Sequence, residues 1–513
     1  MFEDPKPRLP RIAGAVGALL ILICFGCKQH PQDQSASRLK LEAPAESLAR
    51  ELEQAVPQLM SAAGVPGLQI CIIRDGRILW NKGFGVKNAR TDQPVDERTV
   101  FEAASLTKPF FAFLVMKMVE TGDLDLDRPL VDYAPQEYIE DKVIQHGMDL
   151  EGFRRDWFRH ITARQVLSHS SGLPHGGPRR PLPILFEPGS KYRYSADGYF
   201  YLQRIVEHLR GAPLDEIMHR EVIEPLGMTD SSLVWRESYE DQAAVGHDMF
   251  SGTSGHHRKR RQAHAAATLY TTARDYALFV AAVLNATGLE AETVSEMLAP
   301  QIGVREGVSW SLGFGLEDNT AGRAFWQWGD YGIFRNYITA FPEHKIGVVY
   351  LTNSFNGLSI GPELVKLALG DDKNLGLEYL NYPRYDTESA KLGRMIAAEG
   401  IPAAEEAYRA IRRDAPDSLS EEDVNNLGYA LLQAGKAAEA LTVFQWNIEA
   451  FPLSANAYDS LAEAYLRRGD AENAVKYYTR TLEAIPHDPR PDKEFLENLA
   501  LGARESLERL GKR

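Results

Sequence analysis

Residues 101–116 constrain this chain more than any other stretch. Phe101-Glu102-Ala103-Ala104-Ser105-Leu106-Thr107-Lys108-Pro109 runs directly into Phe110-Phe111-Ala112-Phe113-Leu114-Val115-Met116. The second half is apolar on every side and predicts a fully buried helix. Ser105 and Lys108 are three residues apart at its start, one turn away on the same face. There the lysine can take the serine proton and free a nucleophile, and the amides at the helix start favour developing negative charge. Two strand-like runs precede them, Leu68 to Arg74 and Arg77 to Lys82, around the turn signal Asp75-Gly76. The same spacing recurs in Ser37-Arg38-Leu39-Lys40, but in a polar, linker-like stretch without chemical meaning.

Two or three domains are expected from 513 residues. A net charge of −14 argues against a nucleic-acid partner. The one basic run, Arg258-Lys259-Arg260-Arg261, reads as solvated loop charge. Residues 1–27 read as an export signal. Lys6, Arg8 and Arg11 precede an apolar run from Ile12 to Gly26 that is too short to span a bilayer comfortably. It ends in Cys24-Phe25-Gly26-Cys27 before polar Lys28-Gln29-His30. Cys71 is the other cysteine, in an apolar strand, so no disulfide framework is expected. The histidines lack ligand spacing; neither metal nor cofactor is expected.

Leu48, Leu52, Val56 and Leu59 put an amphipathic helix over 46–63. Ile161 to Leu167 reads as a helix stopped by Gly172-Leu173-Pro174, with His169 bracing the loop by hydrogen bonds. Tyr194, in Pro188-Gly189 through Tyr194-Ser195-Ala196, becomes a competent base if a nearby cation lowers its pKa. Strands resume at Ile333 to Phe341 and Lys345 to Asn353, and a helix at Gly361 to Leu369 closes the region. Sheet pieces flanking a helical middle give an α+β architecture with an inserted helical lobe.

This ordered set resembles the serine β-lactamase and penicillin-binding-protein superfamily, nearest its class C β-lactamase and esterase branch, from about Ala45 to Leu369. The resemblance implies an antiparallel sheet flanked by helices. It also implies Ser105 as nucleophile, Lys108 as its partner, Tyr194 as base and His169-Ser170-Ser171-Gly172-Leu173-Pro174 as a structural signature. Pro225-Leu226-Gly227-Met228 and Tyr270 to Tyr276 match further landmarks. Two positions depart from the pattern. Ala196 stands where asparagine usually closes the second motif, and Trp328 stands where the third motif carries its cation, within Trp326 to Gly332. Lys345-Ile346-Gly347 falls in a turn. An oxyanion hole is expected from the Ser105 amide and that of Tyr331, with Trp328 and Gly329 beside the substrate. Cys27 resembles the lipidated cysteine of a bacterial lipoprotein.

Beyond Tyr382-Pro383 the chain is repetitive. Leu427, Gly435, Ala440, Phe444 and Pro452 recur 34 residues later as Leu461, Gly469, Ala474, Tyr478 and Pro486, the tetratricopeptide period. An all-α solenoid of such repeats should follow the hydrolase. The expected organisation is a signal over 1–27, a linker over 28–44, a hydrolase over 45–370, a linker over 371–390 and repeats over 391–513. The function expected is an exported, membrane-anchored serine hydrolase acting through a Ser105 acyl-enzyme. Its substrate would be an ester, a D-amino-acid peptide or a β-lactam-like carbonyl, with esterase or peptidase favoured over β-lactamase. The alternative is a sensor that recruits a peptide or protein partner through its repeats.

Overall fold

A computed structural model describes residues 39–144, 155–175, 184–253 and 255–511. The signal-like segment, Cys27 and the Ser37 decoy lie outside the described residues.

Among the described residues eleven strands form in chain order: β1 Gly67–Arg74, β2 Arg77–Asn88, β3 Gln93–Pro94, β4 Phe101–Ala104, β5 Leu269–Thr271, β6 Ile302–Arg305, β7 Val308–Trp310, β8 Gly315–Asn319, β9 Gly322–Asp330, β10 Arg335–Phe341 and β11 Ile346–Thr352. Nine make one antiparallel sheet in the order β3-β2-β1-β11-β10-β9-β8-β7-β6, while β4 and β5 pair separately. Strands β6 to β9 were not foreseen. The first three are at most five residues long, with little apolar periodicity to announce them.

The central strands alternate with period two. Leu68, Ile70 and Ile72 of β1 join Val348 and Tyr350 of β11 in a cluster with helix α1 (Ala45–Ala63). Cys71 and Ile73 face the other way, with Val349 and Leu351. Residues of α2 (Thr107–Glu120) and α3 (Asp197–Arg210) belong to the cluster on that second face, and α4 (Ala273–Asn285) lies directly against β1, β2 and β11. The α2 residues from Phe110 to Met116 are all buried. Each large apolar side chain among them contributes about 1.5–3 kcal/mol relative to exposure. Helix α5 (Gly361–Leu369) returns to the α1 face.

The stretch read as a linker, 371–390, is instead docked on the sheet. A helix, α6 (Leu375–Leu380), forms there. Gly376 N donates to buried Glu317 at 2.6 Å, and the Tyr337 hydroxyl donates to Asn374 at 2.8 Å. Fixed turns and buried polar partners, invisible to composition, make this segment structural.

Seven helices follow: α7 Glu388–Glu399, α8 Ile401–Asp414, α9 Glu421–Gln433, α10 Ala437–Ala450, α11 Ala455–Arg467, α12 Ala471–Ala484 and α13 Lys493–Gly511. The repeating Gly435 and Gly469 have φ of 75° and 83° and make the turns between paired helices, a conformation that favours glycine. A loop of the first region reaches these helices: Met249 and Phe250 pack against the apolar cluster built by Leu392, Leu427 and Phe444.

Candidate active site

Strand β4 and helix α2 meet at Ser105. From Thr99 to Met116 every residue is buried except Ser105, which keeps partial exposure. Ala104 takes a φ of 50°, a left-handed conformation that costs an alanine free energy. The Thr107 hydroxyl braces it by donating to Ala104 O at 2.7 Å, and the Tyr276 hydroxyl donates to Leu106 O at 2.8 Å. A strained, braced turn thus presents one hydroxyl out of an otherwise sealed segment.

Lys108 Nζ lies 3.0 Å from Ser105 Oγ and donates to Ala266 O at 2.9 Å. It sits 4.7 Å from the centre of the Tyr194 ring. Burial is the main cause that lowers the ammonium from its ordinary value to about 7; the charge of Asp197 pushes the other way. The Tyr194 phenol lies close enough to the Ser105 side chain for that group to act on its pKa. Its phenol behaves differently from the expectation that a nearby cation would lower its pKa. Burial pushes it above its ordinary value, with hydrogen bonds from Ser105 and Gln327 opposing. The group able to be neutral and accept a proton near pH 7 is therefore Lys108, and Tyr194 stays protonated.

Gln327 was missed. Its Nε2 donates to Tyr194 Oη at 3.0 Å and to Ser105 O at 3.2 Å, while its Oε1 is buried without a partner. The place expected to hold a cation is thus filled by Gln327, one residue before Trp328. Strand alternation was the available signal: Gln327 and Gly329 share a face, and Trp328 points from the other. The Trp328 ring packs 4.6 Å from that of Tyr194. Gly329 lies against β4 so closely that a Cβ there would stand 2.1 Å from Ala103 O.

The assignment of Tyr331 to the oxyanion hole is corrected. Its amide donates to Phe334 O at 3.0 Å and its hydroxyl to Ala267 O at 2.6 Å, so both are engaged. Antiparallel pairing alternates, so the amide of the preceding Asp330, opposite Arg335, turns away from β10. Strand β8 pairs no further along β9 than Trp326, leaving that edge open. The basic run is also less solvated than expected. The guanidiniums of Arg258 and Arg260 stack 4.9 and 5.0 Å from the Tyr331 ring.

His169 braces the loop as expected. Buried, with φ 57°, it accepts a hydrogen bond from Ser195 N at 3.1 Å and packs its ring 4.2 Å from Tyr194. Burial, then the charge of Lys108, hold its pKa well below the ordinary value, so it stays neutral. Ala196, where an asparagine was missing, donates its amide to His175 at 3.1 Å.

A family model described as beta-lactamase matches residues 52–369, and one described as tetratricopeptide repeat matches residues 425–489. Esterase EstB of Burkholderia gladioli is 27% identical over 222 residues, covering 38% of this chain and 53% of the esterase. The N-acetylmuramyl-L-alanine amidase of Bacillus subtilis (strain 168) is 30% identical over 194 residues, covering 32% of this chain and 42% of the amidase. The matched stretch thus spans about half the length of these curated relatives. The octameric penicillin-binding protein homologue from Pyrococcus abyssi has a similar fold, with a TM-score of 0.52, 23% identity, and coverage of 68% of this chain and 81% of that one.

Proposed function

The chain belongs to the beta-lactamase family of serine hydrolases, and from that premise we propose that Ser105 forms an acyl-enzyme with neutral ester or peptide substrates. One observation carries this reading. The one residue of 99–116 that is not buried is a partly exposed serine whose Oγ lies 3.0 Å from a buried lysine with a pKa of about 7.

In this mechanism Ser105 Oγ attacks the substrate carbonyl and its proton passes to neutral Lys108. The amides of Ser105 and Asp330 receive the oxyanion. As the bond to the leaving group breaks, the Tyr194 phenol donates a proton to it and is reprotonated from Lys108. Water then attacks the acyl-enzyme with Lys108 again taking the proton, and Ser105 is released by its return.

Gln327 directs the substrate class. A carboxylate on the substrate would meet a neutral amide here rather than a cation, and a hydrogen bond to a charged group is worth about 1.5–3 kcal/mol. A neutral acyl group loses nothing by the exchange. The similarity to an esterase and to an amidase supports the same choice. The test compares kcat/KM for p-nitrophenyl butyrate with that for benzylpenicillin. The ester should lead by roughly 10–150-fold, with Ser105→Ala inactive on both. A penicillin lead of that size would contradict the substrate class. Export and a lipid anchor at Cys27 belong to the same proposal, and mass spectrometry of the mature N-terminal peptide from membranes tests them.

A further inference from the structure

The end of β9 opens into a cleft of about 590 Å³ whose opposite wall belongs to the repeats. On the hydrolase side it is lined by Asp330, Arg335, Phe355 and Asn381, and across from them by Asn426 and Gln433 of α9. The volume lies within the roughly 300–1,000 Å³ of small-ligand sites.

Its chemistry is that of a receptor for amides. The charges lining the hydrolase wall are already matched: Arg335 and Asp330 approach to 3.2 Å, and the Arg335 guanidinium lies 3.7 Å from the Phe355 ring. Asp423, also at the rim, caps its own helix by accepting from Ser420 N at 3.0 Å. Asn381, Asn426 and Gln433 each carry a carboxamide that donates and accepts, and among the described residues none of the three bonds another side chain. Such groups suit the alternating N–H and C=O of a peptide, and Phe355 offers apolar surface for its side chains.

The cleft is also at the right distance from the nucleophile. Gln327, which holds Ser105 O, is three residues before Asp330. Asp330, whose amide receives the oxyanion, also lines the cleft, so the cleft starts beside the reacting carbonyl and an extended substrate, at about 3.3 Å per residue, enters it within its next few residues.

We propose that this cleft binds the distal, neutral peptide portion of the substrate, so that the tetratricopeptide region is a specificity element of the hydrolase. The proposal rests on the reading of Ser105 as its nucleophile. Binding is therefore measured without turnover, in the full-length Ser105→Ala chain, with N-acetyl-trialanine amide as probe and calorimetry as readout. The peptide should bind, and Asn426→Trp and Gln433→Trp, both at exposed positions on α9, should each weaken it at least about tenfold by filling the cleft. Arg480→Ala, on an exposed face of α12, should bind as the parent does. No binding, or equal binding by both tryptophan variants, overturns the proposal whatever the catalytic result. Hydrolysis of p-nitrophenyl butyrate by the wild-type chain is read separately, and its absence would count against the nucleophile alone.

Discussion

Lys108 Nζ stands 3.0 Å from Ser105 Oγ and gives its other hydrogen bond, at 2.9 Å, to a neutral carbonyl, that of Ala266. Among the described residues no carboxylate is bonded to it, and burial holds it near a pKa of about 7. A base must be deprotonated to work, so kcat/KM for a neutral ester should rise with pH and level off above about 7. Lys108→Ala should lower the plateau by roughly 10²–10⁴ and remove this limb, and Tyr194→Phe should lower it by a similar factor while keeping the limb. The pH profile of each variant is the check. The sign for stability is the same. Between about 7 and the ordinary lysine value of 10.5 the unfolded chain holds the proton and the folded one does not, so stability should increase with pH there.

Gln327 offers a direct change of specificity. Gln327→Lys restores a cation beside Tyr194 and should raise kcat/KM for benzylpenicillin relative to p-nitrophenyl butyrate by roughly 10–150-fold. Steady-state kinetics with both substrates decide it. An unchanged ratio would mean that the neutral side chain does not set the substrate class.

His169 should matter to folding more than to chemistry. His169→Ala leaves the buried Ser195 amide without its acceptor, a loss of about 1–3 kcal/mol, and opens a cavity among Tyr194, Tyr199 and Trp310. Urea denaturation should show that loss, while the folded variant keeps its pH profile. A fully stable but inactive variant would give His169 a chemical role.

These predictions draw on residues that differ in how visible they were beforehand. Ser105, Lys108 and Tyr194 were legible because spacing and context marked them, and the structure brings all three together. The repeats were legible through the recurrence of Leu427 and Gly435 as Leu461 and Gly469. Gln327 was not, because which face of β9 meets Ser105 depends on pairing to β10 and on the close approach of Gly329 to Ala103. Tyr331 misled for the same reason: only the register reveals that its amide is spent on Phe334. The direction of the Tyr194 shift depends on burial by distant segments, which local sequence does not carry.

The repeats should prove separable from the chemistry but not from solubility. Met249 and Phe250 pack against the helical cluster and would be bared by removing it. A fragment of residues 39–385 should aggregate, and Met249→Ser with Phe250→Ser should return it to a soluble monomer that hydrolyses p-nitrophenyl butyrate. Size-exclusion chromatography and ester kinetics test this together. A soluble, cooperatively folded fragment without ester activity would show that the repeats shape the catalytic centre itself.

The most direct measurement is the mass of the protein after reaction with a fluorophosphonate, which phosphonylates an activated serine and releases fluoride. One phosphonyl group should be added to the full-length chain, and peptide mapping should place it on Ser105. Ser105→Ala should gain no mass, and Lys108→Ala should label far more slowly. A stoichiometric adduct on another residue, or labelling that survives Ser105→Ala, would contradict the account at its centre.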